Sequence, residues 1–129
     1  MTDMAKKKTI LVVDDDETIR NLLAHSLSEY GFHVLTVHDG HDALEFFDNN
    51  PSGCDLVLID QSMPGISGLE VCDELKAVHP SQKIMITTGN YVTNEDIAEM
   101  KSRGICNVIR KPFHLIDLIA QLKDELGCE

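Results

Sequence analysis

Asp55-Leu56-Val57-Leu58-Ile59-Asp60-Gln61-Ser62-Met63-Pro64-Gly65 is the stretch on which the reading of the chain turns. Val57, Leu58 and Ile59 are an apolar run without polar alternation, the pattern of a strand covered on both faces, as in parallel sheets. The run stops on a carboxylate, Asp60, and the chain then turns at Pro64-Gly65. A carboxylate delivered to the end of a buried strand is costly to desolvate unless a cation or hydrogen-bond donors meet it. What meets Asp60 is the question for the remaining sequence.

Outward from that stretch the same strand-then-helix unit recurs. Thr9-Ile10-Leu11-Val12-Val13 is a β-branched apolar run ending on Asp14-Asp15-Asp16-Glu17. Ile19, Leu22, Leu23, Ser26, Leu27 and Tyr30 follow at helical spacing, and Gly31 closes that helix. Asp16 and Glu17 suit the positive end of its dipole, which leaves Asp14 and Asp15 without a local explanation. His33 to Val37 reads as a second strand and Asp39-Gly40 as a turn. Ala43, Leu44, Phe46 and Phe47 form a short helix broken by Asn49-Asn50-Pro51-Ser52-Gly53. Beyond Asp60, Leu69, Cys72 and Leu75 mark a third helix stopped by Pro80. Lys83-Ile84-Met85-Ile86 is a fourth strand that runs out into Thr87-Thr88-Gly89-Asn90. A weakly amphipathic helix from Asn94 to Ser102, anchored by Ile97 and Met100, leads to a fifth strand, Cys106 to Ile109, ending at Arg110-Lys111-Pro112. Leu115, Leu118, Ile119, Leu122 and Leu126 give the strongest helix. Five such units with short connections predict an α/β fold, a doubly wound five-stranded parallel sheet with helices on both faces. The expectation is one domain over residues 1–129, with Met1 to Lys7 a loose tail.

Composition bounds the function. A chain of 129 residues, 43% apolar and 26% charged, is long enough and apolar enough to bury a core. Its net charge of −11 disfavours nucleic acid or an anionic membrane as a direct partner. No apolar run approaches the ~20 residues of a bilayer-spanning helix, and the amino end lacks the pattern of a signal peptide. Cys54, Cys72, Cys106 and Cys128 show neither C-x-x-C pairing nor ligand-like spacing with histidine, which fits reduced thiols in the cytoplasm. His38 and His41 flank the Asp39-Gly40 turn and are expected to be solvated.

In an open parallel sheet the site forms outside the carboxyl ends of the strands. Those ends carry Asp14 and Asp15, then Asp60, then Thr87 and Thr88, then Lys111. Three carboxylates a few ångströms apart repel unless a proton or a cation separates them. Oxygen donors without Cys or His favour a hard ion, Mg²⁺ or Mn²⁺. The Thr87 hydroxyl and the Lys111 ammonium would complete a pocket for a tetrahedral anion beside the metal. Together these groups suggest phosphoryl transfer to Asp60 itself.

The motifs Ile10-Leu11-Val12-Val13-Asp14-Asp15-Asp16, Leu58-Ile59-Asp60 with Met63-Pro64-Gly65 and Gly68, Ile86-Thr87, and Lys111-Pro112-Phe113 resemble the receiver domain of bacterial response regulators. The resemblance runs from about Lys8 to Leu126. It implies a flavodoxin-like fold with strand order 2-1-3-4-5 and a cis Lys111-Pro112 bond. Asp60 would accept a phosphoryl group from a sensor histidine kinase or a histidine phosphotransfer protein. Asp15 and Asp60 would ligate Mg²⁺, with Asp14 acting through a metal-bound water and the Ser62 backbone carbonyl adding a ligand. Lys111 and Thr87 would contact the phosphoryl oxygens. The output would be a switched surface on the fourth helix, fifth strand and fifth helix, read by a downstream protein or an attached output domain. The domain would catalyse its own phosphorylation and dephosphorylation without turning over an external substrate. Whether the chain is a stand-alone receiver or part of a longer regulator stays open.

Four positions depart from or modulate that pattern. Val108 stands three before Lys111, where the family usually has Tyr or Phe, which puts a ring-based switch in doubt. Thr88 replaces a small residue and is expected to narrow the phosphate pocket or add a donor. Ser62 and Gly89 occupy positions that tune loss of the phosphoryl group. Two rival readings lack residues they require. A haloacid-dehalogenase-type phosphohydrolase would need an acid where Ser62 stands and a substrate cap, and a flavin or nucleotide binder would need a phosphate loop after the first strand.

Overall fold

Ten elements alternate along the chain: β1 (Thr9–Val13), α1 (Glu17–Glu29), β2 (His33–Val37), α2 (Gly40–Asn49), β3 (Leu56–Asp60), α3 (Gly68–Val78), β4 (Ile84–Thr88), α4 (Asn94–Ser102), β5 (Asn107–Arg110) and α5 (Leu115–Leu126). The structure, a computed structural model, describes residues 7–89 and 91–127. The expected tail from Met1, apart from Lys7, lies outside the described residues, as do Asn90 and Cys128. The strands pair in parallel in the order β2-β1-β3-β4-β5, as the resemblance implied. The Lys111-Pro112 peptide is cis.

Strand alternation divides the core into two layers. Leu11, Val13, Val57, Ile59, Ile84 and Ile86 point to one side, against Phe47 of α2, Val71 and Leu75 of α3 and Met100 of α4. Ile10, Val12, Leu56, Leu58, Met85 and Ile109 point to the other, against Leu23 and Leu27 of α1 and Leu118, Ile119 and Leu122 of α5. Each such aliphatic side chain contributes ~1.5–3 kcal/mol on burial. The same parity settles the site. Asp60 is in register with Thr87, Asp14 follows Val13, which is in register with Ile59, and Lys111 lies two residues past Ile109. All four therefore continue the α1/α5 face at the carboxyl edge of the sheet.

The structure revises several expectations. Leu22 and Tyr30 share the helical spacing of α1 but are 53% and 49% exposed, because α1 seats on the sheet through Leu23, Ser26 and Leu27. The Asp39-Gly40 pair is the start of α2: the Asp39 side chain accepts from the Asp42 N–H at 2.8 Å. β4 extends through Thr88, and β5 starts one residue later than expected and includes Arg110.

Two glycines position the turn after Asp60. Gly65 has φ +81°, a conformation L side chains avoid. Gly68 opens α3 so close to β3 that a Cβ there would lie 2.5 Å from the Asp60 carbonyl oxygen and 2.9 Å from the Gln61 Cα. Both neighbours are backbone, so neither can swing away. Gly68→Ala is expected to destabilise the fold by about 1–3 kcal/mol, the range for overpacking, read by urea denaturation. An unchanged midpoint would show that α3 does not hold the Asp60 backbone as described.

Candidate functional site

Lys111 is the cation that meets Asp60. Its Nζ lies 3.4 Å from Asp60 Oδ1 and 3.5 Å from Asp14 Oδ2. Asp14 and Asp60 are 2% and 6% exposed, whereas Asp15 points to solvent. Oxygens of Asp14, Asp15 and Asp60 all lie within 4.8 Å of one another. The expected carboxylate cluster is therefore assembled, with Lys111 beside it.

Main-chain donors fix the two buried acids. The Asp16 N–H donates to Asp14 Oδ1 at 2.9 Å, and the Ser62 N–H donates to Asp60 Oδ1 at 3.4 Å. From Ser62, what reaches the Asp60 carboxylate is thus the N–H. Thr87 is buried beside Asp60 in the ladder, and its carbonyl accepts from the Gln61 N–H at 2.9 Å. The Lys111 N–H donates to the Thr88 carbonyl at 2.7 Å, which anchors the start of the Lys111-Pro112 turn. Thr88 is fully buried and shares the parity of Ile84 and Ile86, so its tie to the Lys111 segment is through that carbonyl.

The charges do not balance. Asp14, Asp15 and Asp60 against Lys111 leave two uncompensated negative charges within a few ångströms. A divalent ion cancels that excess, and a purely carboxylate donor set suits a hard one. The thiols offer no competing chemistry among the described residues. Burial pushes Cys54 and Cys106 up to about 11 and Cys72 to about 12, so all three stay protonated at neutral pH. His38 is exposed, as expected, yet engaged: its Nδ1 sits 2.8 Å from Asp42 Oδ2 and its Nε2 3.4 Å from Asp39 Oδ2.

Two contributors escaped the sequence. Gln61 Oε1 accepts from the Leu69 N–H at 2.8 Å, tying the residue after Asp60 to the first turn of α3. Arg20 donates from Nη1 to the Asp14 carbonyl at 2.8 Å. A signal for Arg20 existed: a cation in the first turn of α1 opposes the helix dipole and asks for another reason.

Burial raises the Asp60 carboxyl above its ordinary 3.8; Lys111 opposes the shift, Asp14 adds to it and the Ser62 N–H opposes it. A folded-state value above the unfolded one means that the native state holds this proton more tightly. The ionised form then penalises the fold above the folded value, and the penalty fades as pH falls through it. In chelator, Asp60→Asn is expected to melt above the wild type at neutral pH, the gap closing as the pH is lowered toward 4. A variant that melts below the wild type at neutral pH would contradict this.

The comparisons with known proteins agree with this geometry. The model of the response regulator receiver domain matches residues 10–123. Response regulator MprA of Mycobacterium sp. (strain KMS) is 37% identical over 114 residues, covering 88% of this chain and 48% of that protein. The chain thus spans about half the length of the curated relatives it matches. A response regulator receiver domain protein from Clostridium thermocellum superposes with a TM-score of 0.85 at 28% identity, over 93% of this chain and 94% of that one. NtrX from Brucella abortus, solved in complex with ADP, gives 0.84 at 31% identity, over 95% of this chain but 27% of NtrX. With the sheet order, the acidic strand ends and the matched residues in agreement, this chain belongs to the response regulator receiver domain family of two-component signalling.

Proposed function

We propose that Asp60 accepts a phosphoryl group from a phosphohistidine on a sensor histidine kinase or a histidine phosphotransfer protein. The observation that carries this reading is the Lys111 ammonium poised between the buried Asp14 and Asp60 carboxylates. An Asp60 oxygen attacks phosphorus in line, forming an O–P bond as the N–P bond to the donor imidazole breaks and the electron pair leaves on nitrogen. Lys111 offsets charge developing on the phosphoryl oxygens, and the Thr87 hydroxyl moves to donate to one of them. Asp14, Asp15, Asp60 and the Ser62 carbonyl hold a Mg²⁺ ion, for which Mn²⁺ can substitute. Bound there, the ion supplies neutralisation of the carboxylates and of the transferring oxygens.

The product adds ~1.5–2 negative charges at the strand ends. The response is taken up by α4, which is held to the core chiefly by Met100 and to α3 by Arg103, whose Nη1 lies 3.2 Å from Asp73 Oδ2. A partially buried Val108 in place of a ring supports a response in α4 and its preceding loop rather than in a swinging aromatic. The α4, β5 and α5 face is then read by a downstream protein or an attached output domain. Residues 1–129 act as one such unit in the cytoplasm, without turnover of an external substrate. No described helix is long and apolar enough to cross a membrane.

Two measurements test the proposal. Incubation with Mg²⁺ and acetyl phosphate should add one phosphoryl mass to the wild type and none to Asp60→Asn, the adduct being removed by hydroxylamine. No adduct within seconds, together with no stabilisation by beryllofluoride, overturns it. Mg²⁺ at tenfold excess over its dissociation constant should stabilise the wild type by ~1.4 kcal/mol. Asp15→Asn should lose most of that gain, and an equal gain in both proteins would remove Asp15 from the metal site.

A further inference from the structure

We infer that Arg20 is a positioning residue for the metal and phosphoryl site: by holding the Asp14 carbonyl it fixes the peptide plane from which the Asp15 carboxylate is presented. The inference rests on the proposed function in assigning Asp15 to the ion.

The starting point is where β2 leaves the sheet. The last step of the β1–β2 ladder is the Asp14 N–H donating to the Val37 carbonyl at 3.3 Å. In a parallel ladder the next bond would run from the Asp39 N–H to the Asp14 carbonyl. That bond is not made: Asp39, still extended at φ −155° and ψ 175°, is the N-cap of α2. Arg20 supplies the donor at that place, Nη1 to the carbonyl at 2.8 Å. A side chain one turn into α1 thus closes the gap left where β2 diverges.

The consequence falls on Asp15. The Asp14 carbonyl and the Asp15 N–H belong to one rigid plane, so a donor that orients the first also orients the second. Asp14 and Asp60 have their own carboxylate anchors in Asp16, Ser62 and Lys111. Among the described residues the Asp15 carboxylate has no hydrogen-bond or ion-pair partner. It is the exposed member of the cluster, and its direction is set mainly through the backbone. Arg20 is that backbone's side-chain clamp. It is half-buried in a cleft of about 520 Å³ bordered by Val37, His38, Asp42, Glu45 and Phe46. A guanidinium so placed keeps a fixed geometry better than a solvated side chain would.

The test uses the whole chain with Arg20→Ala, Arg20→Gln and Arg20→Lys. Mg²⁺ and Mn²⁺ affinities are measured by calorimetry, melting is followed in chelator, and acetyl phosphate labelling is followed across Mg²⁺ concentrations. Arg20→Ala is expected to raise the Mg²⁺ dissociation constant by roughly tenfold, the low end for residues that orient metal ligands. Its labelling rate should return to within about twofold of the wild type at saturating Mg²⁺, and Arg20→Lys, which keeps a donor, should recover part of the affinity. A folded Arg20→Ala with lowered melting temperature and unchanged Mg²⁺ affinity would make the contact merely structural and overturn the inference. If Arg20→Ala does not fold, wild-type affinity in both Arg20→Gln and Arg20→Lys overturns it equally. Mg²⁺ binding without labelling of the wild type would defeat the proposed phosphoryl transfer and leave the Arg20 assignment standing; no Mg²⁺ binding by the wild type defeats both.

Discussion

The site depends on an electrostatic imbalance held in place by packing. One ammonium, Lys111, stands between two almost fully buried carboxylates, with a third carboxylate at the rim. At intermediate dielectric a pair of opposite charges at 4 Å attracts by about 4 kcal/mol, and the like charges repel on the same scale. Desolvation of buried ions offsets much of what remains. The cluster is therefore not there for stability. It is kept by a core that does not need its help: two apolar layers on either side of a sheet whose central strands are buried throughout.

Parallel pairing makes the imbalance possible. Because every strand points the same way, every strand end lies at one edge, and residues of equal parity fall on one face. Short connections then bring helix starts to the same edge. The N-cap of α1 serves the site directly: Asp16 donates its N–H to Asp14, while its own side chain accepts from the Thr18 and Ile19 N–H groups. A helix amino end favours nearby anions by ~0.3–1 kcal/mol each, which lessens the repulsion without removing it. What is left over is a negative excess of the kind a hard divalent ion would neutralise.

In the MprA and NtrX relatives the matching region is part of a longer chain. The matching portion is about half of the MprA proteins and 27% of the NtrX chain, so the same fold is joined to different remainders. A design of that kind needs a site that is uniform and an outer surface that is not. Here Asp14, Asp60, Thr87 and Lys111 sit at the carboxyl edge of the sheet, whereas Arg110 and the weakly anchored α4 lie at the surface.

The sequence by itself determined the elements and the class of chemistry. Apolar runs of strand length, helical periodicity and turn residues are local signals, and a run such as Val57-Leu58-Ile59 ending on Asp60 carries its own contradiction on its face. Five such units in succession also left few topologies to consider. Tertiary structure decided how the strand-end groups meet and which others join them. Lys111 reaches both Asp14 and Asp60 because strand register and parity bring together residues far apart in the chain. The burial of Asp14 against the exposure of Asp15, the solvent-facing Leu22 and Tyr30, the use of Asp39 as a cap and the reach of Arg20 to the Asp14 carbonyl follow the same rule. Periodicity says that a residue can face the core, but only the packed neighbours settle whether it does and what it touches there.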